Sequence, residues 1–195
     1  HTLLVHSIRK MKKHTIALTS LLLVFCFTSC KNTTKKTSNS TEDTSAENQS
    51  DKTVYASNVI PFFDDWKLIL GDGSNIGIAN DFENKDFFYT TTDGKDDWVV
   101  FKAPNGGETH GTSNNTRTEL AQIKKWYPKT ADDKLTATLK VMNVSSTGDA
   151  RVASTHAVVV GQIHSADAFE NEPLKIFYKK YPGHTKGSVF WHYEI

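Results

Sequence analysis

Cysteine is scarce in this chain of 195 residues: only Cys26 and Cys30 occur, both inside an apolar N-terminal segment. A disulfide framework is therefore excluded for the remainder. With Pro 5 and Gly 11 the chain is not collagen-like, and 37% hydrophobic with 11% aromatic residues is too much for a wholly disordered one. An excess of one charge is missing too. The first 30 residues hold Arg9, Lys10, Lys12 and Lys13 and no acid; with those four set aside from the 23 basic residues, 19 face 22 acidic ones, a balance of about −3. No basic bias survives to suggest nucleic acid. No nucleophile elbow, phosphate loop or dinucleotide fingerprint occurs. What is left is one domain of moderate size.

The N-terminal stretch reads as an address. Lys12 and Lys13 follow Met11, and Ile16 to Phe27 is apolar apart from Thr19 and Ser20, shorter than a bilayer-spanning helix needs. Phe27-Thr28-Ser29-Cys30 resembles a bacterial lipobox, with Phe27 where Leu is commoner. That resemblance implies cleavage before Cys30, acylation there, and an exported protein lipid-anchored at the bacterial cell envelope. An ordinary secretory signal with an incidental cysteine, and a secreted product, is the alternative. Met11 reads as the initiator, so residues 1–10 are expected outside the mature protein, and residues 1–30 outside the fold. Residues 31–53 hold no large apolar side chain and cannot offset their ordering entropy, which predicts a flexible tether.

From Val54 to Ile195 the pattern is that of sheets. Runs rich in Val, Thr and aromatics are separated by turn signals such as Asp72-Gly73, Asp93-Gly94, Asn105-Gly106-Gly107 and Pro182-Gly183. Strands are expected at 87–91, 97–103, 116–123, 134–144, 154–164, 174–180 and 187–194, with a brief helix at 61–68. In 134–144, Leu135, Ala137, Leu139 and Val141 share one face. Many short strands with period-two patterning predict an all-β fold, an antiparallel β-sandwich of jelly-roll type.

Two clusters carry candidate chemistry. Arg117 and Glu119 point to one side of a strand while Thr118 and Leu120 point to the other, so the charged side either lines a polar cleft or forms an ordinary surface ion pair. In Val158-Val159-Val160-Gly161-Gln162-Ile163-His164, alternation puts Gln162 and His164 on one face and Val159, Gly161 and Ile163 on the other. Gln162 and His164 stand about 7 Å apart along the strand. Gly161 marks a close approach or a bulge. The same cluster reads equally as a surface Gln and a solvated His. His156, His164, His184 and His192 lack zinc-ligand spacing, so no metal and no cofactor are expected. Glu170 and Glu172, before Pro173, read as a solvated turn rather than a glycosidase pair. Lys175, Lys179 and Lys180 with Tyr178 and Tyr181 form a basic, aromatic stretch. It either contacts an acidic polymer or is the wet face of a strand, and Lys175 and Tyr178 are the candidates for contact.

Arg117-Thr118-Glu119-Leu120 and Gln162-Ile163-His164, in that order, resemble the first two signature motifs of polysaccharide lyase family 7 alginate lyases. NGGETHGTSNNTRTEL, VVVGQIHSAD and PLKIFYKKYPGHTKGSVFWHYEI extend the likeness over about Val54 to Ile195. The resemblance implies a jelly-roll enzyme that cleaves alginate by β-elimination as a monomer. Arg117, Gln162 and His164 would neutralise the uronate carboxylate, His164 serving also as base for guluronate. Glu119 would orient Arg117, and Ile163 goes with guluronate-containing blocks. There are two departures. Ala121 stands where the first motif carries a further Arg, and a third, tyrosine-bearing C-terminal motif does not occur. A C-terminally truncated, inactive fragment is therefore expected. A non-catalytic surface lipoprotein that binds acidic polysaccharide, and an anchored structural or adhesive sandwich, are the competing readings.

Overall fold

The computed structural model of the chain describes residues 2–11, 53–111, 113–125, 134–165 and 172–193. In chain order it has β1 (Thr2–Met11), α1 (Ala56–Val59), a 3-10 turn (Phe63–Asp65), β2 (Trp66–Ile69), β3 (Asn75–Gly77), β4 (Phe88–Thr92) and β5 (Asp97–Lys102). Then follow β6 (Glu119–Gln122), β7 (Lys134–Asn143), β8 (Ala157–Ile163), β9 (Leu174–Lys179) and β10 (Ser188–Tyr193). All strand pairs are antiparallel, in sheets of order β4-β5-β1-β7, β3-β2-β6 and β10-β9-β8. The fold is the expected all-β, antiparallel sandwich of jelly-roll type.

The core lies between the first two sheets. Val5, Phe88, Val99 and Phe101 come from the four-stranded sheet, Leu68 from β2, and Leu120 packs against them from β6. Phe88 meets Phe101 edge-on at 5.0 Å between ring centres. Leu68, Phe88 and Val99 are fully buried, each contributing about 1.5–3 kcal/mol of transfer free energy. Burial extends to both faces of β5, because Trp98 and Val100 on its far side are also covered. Trp98 is capped by the Lys140 ammonium 3.8 Å above its ring. Its Nε1–H donates to Asp93 Oδ2 at 2.9 Å, an oxygen that Lys140 Nζ also reaches at 2.9 Å. The β4–β5 turn is closed there by Gly94 at φ +86, a conformation only glycine adopts freely.

Two expectations change. Thr2–Met11, placed outside the fold from sequence, form β1 between β5 and β7. Leu3 and Val5 alternate toward the core, and the consecutive apolar Leu3-Leu4-Val5, without turn residues, suits a position with strand edges on both sides. The helix at 61–68 is instead a strand start. Phe62 takes a left-handed φ of 56, which no right-handed helix continues through, and Trp66 and Leu68 then alternate inward. The apolar face of β7 lies on the side of Leu3 and Val5, but at the sheet edge, leaving Leu135 and Leu139 exposed. The address segment with Cys26 and Cys30, and the tether up to residue 52, lie outside the described residues.

Candidate active site

β6 pairs with β2 so that Leu120 sits beside Leu68 and Glu119 beside Ile69. Leu120 therefore faces the core, and the opposite side presents Glu119 with Arg117 just ahead of the strand. Arg117 Nη1 donates to Glu119 Oε1 at 3.1 Å, with the two side chains 27% and 26% exposed. Thr118 Oγ1 donates to the Lys102 carbonyl at 2.6 Å, fastening the residue between them to β5. Thr116 Oγ1 donates to the Gly107 carbonyl at 3.0 Å. Gly107 itself must be glycine, since a Cβ there would strike the Gly71 carbonyl oxygen and come within 2.6 Å of Thr116 Cγ2. The Asn105-Gly106-Gly107 turn thus buttresses the approach to Arg117. Ala121 lies directly beside Lys67, so a cation from β2 shares the face on which the first motif would carry its further Arg.

The second cluster is shaped by a bulge. β8 and β9 pair Val159 with Phe177 but Gly161 with Ile176, leaving Val160 extra. Gly161 therefore adjoins a bulge, one of its two expected roles. The slip places Val159 on the face of Gln162, not of Ile163 as simple alternation required. On that face Gln162, Lys175 and His192 stand in one row across β8, β9 and β10. His164 lies one residue beyond β8. Its Nδ1–H donates to the Ser165 carbonyl at 2.8 Å. A carbonyl only accepts, so in the neutral ring the lone pair is left on Nε2.

Glu172 joins the two clusters, although the sequence reads it as a solvated turn residue. Its side chain is 27% exposed, Oε2 accepts from Lys175 Nζ at 3.0 Å, and Oε1 lies 3.9 Å from His164 Nε2. The Lys175 hydrogen bond holds the Glu172 carboxyl below its ordinary value, against the opposing effect of burial. The positive charges of Lys175 and Arg117, and that of His164 when its ring is protonated, add to the lowering. One carboxylate thus feels the cation of the β6 cluster and those of the β8–β9 cluster. The only hint in the sequence was the three-residue spacing of Glu172 and Lys175 at a strand start. Glu170 lies outside the described residues.

Tyr178 is not part of this arrangement. It is three positions from Lys175 on β9 and faces the other side of the sheet. There its ring closes on Gly187 and helps line a cavity of about 280 Å³ with Met142, Tyr181 and His184. Among the described residues no group of three or more His, Cys, Asp or Glu side chains is placed to hold a metal ion.

The clustered Arg, Gln, His and Lys side chains can neutralise a carboxylate and leave an imidazole nitrogen for proton transfer. A family model described as Alginate lyase matches residues 60–194. The chain belongs to the alginate lyase family. An alginate lyase of Klebsiella pneumoniae is 31% identical over 144 residues, covering 60% of this chain and 44% of that protein. The crystal structure of the exolytic PL7 alginate lyase AlyA5 from Zobellia galactanivorans is 53% identical with a TM-score of 0.64, over 71% of this chain and 44% of that one. This alginate lyase family member therefore spans less than half the length of both relatives.

Proposed function

We propose that the chain acts on alginate, as a monomer, cleaving the 1,4-linked uronate polymer by β-elimination. The observation that carries this reading is the pairing of one carboxylate, that of Glu172, with Lys175 Nζ at 3.0 Å and its approach to His164 Nε2 at 3.9 Å, with the charge of Arg117 also acting on it. A site that gathers a guanidinium, an ammonium and an imidazole around a carboxylate of the chain has the chemistry to take a uronate carboxylate. The C5 proton of a uronate becomes removable only when the growing negative charge on that carboxylate is stabilised. Arg117 supplies charge, Gln162 a neutral hydrogen bond, and His164 Nε2 a lone pair that can accept the C5 proton; the C4–C5 double bond forms as the C4–O4 bond breaks, and the departing oxygen takes a proton from water. Glu119 holds the guanidinium, and Lys67 beside Ala121 adds positive potential along the same face. Guluronate-containing blocks are the proposed preference, on the strength of Ile163 in the second motif.

His164→Ala, in a version of the protein that spans the full length of its relatives, is the test. Release of unsaturated product, followed by the ultraviolet absorbance of its new double bond, should fall by about 10²-fold or more, the typical contribution of a positioned base. Undiminished release refutes the role. Binding of alginate with no unsaturated product from the unaltered protein would instead favour a non-catalytic glycan-binding lipoprotein. We further propose export and lipid anchoring through Cys30, supported by the Met11–Cys30 sequence pattern. Cells fed labelled fatty acid should label the protein, and Cys30→Ser should abolish the label.

A further inference from the structure

We propose that Glu172 is a built-in competing anion that sets the affinity of the site for carboxylates. The inference rests on the reading of the site as a uronate-binding cleft and adds a specificity residue to it. In the substrate-free protein the carboxylate of Glu172 already occupies the positive cluster. Oε2 is bonded to Lys175 Nζ at 3.0 Å, Oε1 faces His164 Nε2 at 3.9 Å, and the charge of Arg117 acts on it from β6. The other titratable neighbours are Glu119, paired with Arg117, and His192, beside Lys175 in the β9–β10 register. A ligand carboxylate entering this cluster must share or displace Glu172, and it enters against the repulsion of that charge. A buttress that merely held Lys175 in place would give the opposite result on neutralisation, because losing it would loosen a binding cation.

Isothermal titration of the full chain with saturated triguluronate separates the two. Glu172→Gln, which keeps an acceptor for Lys175 but removes the charge, should bind roughly fivefold more tightly than the unaltered protein. That is the factor expected for one unit charge at about 4 Å in a watery dielectric. Glu172→Asp, which withdraws the charge by one methylene, should fall between the two. A second measurement needs no variant: the carboxyl ¹³C resonance of Glu172 should shift when triguluronate is added, as Lys175 is taken over. Equal or weaker binding by a folded Glu172→Gln, or an unmoved resonance at saturation, overturns the inference while leaving alginate as the ligand. With trigalacturonate as the second probe, tighter binding of it by Glu172→Gln, with triguluronate ignored by both forms, retains the competing anion and refutes alginate. Failure of both forms to bind either uronate overturns both proposals.

Discussion

Arg117 is the residue whose replacement tests the site most sharply, because its guanidinium has two tasks. One amino group is committed to Glu119 at 3.1 Å, which leaves the rest of the fork for a uronate carboxylate. Arg117→Lys keeps the charge but offers a compact ammonium in place of a planar fork, and it cannot serve Glu119 and a ligand in the same geometry. Losing one charge-assisted hydrogen bond costs about 1.5–3 kcal/mol, roughly a 10- to 150-fold loss. Arg117→Ala also removes the Coulomb attraction, about 1 kcal/mol in water and about 4 kcal/mol in a partly screened cleft at 4 Å. It further leaves Glu119 facing the incoming anion. A loss of about 10³-fold is therefore expected, of which roughly fivefold should return when Glu119→Gln is added.

The assay is kcat/KM from ultraviolet product absorbance, or equally Kd for an alginate oligosaccharide, with circular dichroism confirming the fold. Glu119→Gln alone should cost only about 1.4- to 5-fold, since the pair is about a quarter exposed and such pairs are worth about 0.2–1 kcal/mol. Arg117→Lys within twofold of the unaltered protein would refute the two-task account. Equal losses for Arg117→Ala and Glu119→Gln would show instead that only the ion pair matters.

Two further outcomes concern stability. Leu68 is fully buried where β2 backs Leu120, so Leu68→Ala should cost about 3–5 kcal/mol and lower the thermal midpoint by about 10 °C or more; a shift under about 3 °C would contradict the core assignment. Asp72, Glu83, Asp93, Asp149 and Glu172 all have carboxyls held below their ordinary values. The unfolded chain therefore takes up protons first as pH falls below about 4.5. Stability should be constant above that value and decline as pH drops through the folded-state values. Thermal melts from pH 7 to pH 3 check the sign, and Asp93→Asn, which keeps an oxygen for the Lys95 and Asp96 amides but removes the titrating charge, should flatten the decline. A midpoint that rises on acidification would refute the assignment.

What the sequence makes legible follows the range of the interactions. Strand positions from β4 to β10 are readable because alternation and the Asp93-Gly94 and Pro182-Gly183 turns are local. β2 and β3 are not, because Trp66-Lys67-Leu68-Ile69 is too short to show its period and follows a compact 3-10 turn. Leu120 against Arg117 and Glu119 obeys simple alternation, as expected. The second cluster does not, since the extra residue at Val160 flips Val159 to the other face. Only the pairing partner reveals which residue of an apolar run is the surplus one.

The same reasoning explains why Lys175 and Tyr178 part company and why Glu172 was overlooked. Both tyrosine and lysine suit a polysaccharide surface, but three positions along a strand reverse the side, and composition cannot see that. Glu172 lies far from Arg117 in sequence, and nothing in a run of Glu, Asn, Glu and Pro distinguishes a wet turn from a carboxylate drawn into a cationic cleft. The distinction is made by cations on two separate sheets, Arg117 ahead of β6 and Lys175 on β9, which act on one acid only after the chain has folded. A motif search finds the residues that attract a substrate carboxylate. It does not find the chain's own carboxylate already seated among them, and that charge decides how hard the attraction is to satisfy.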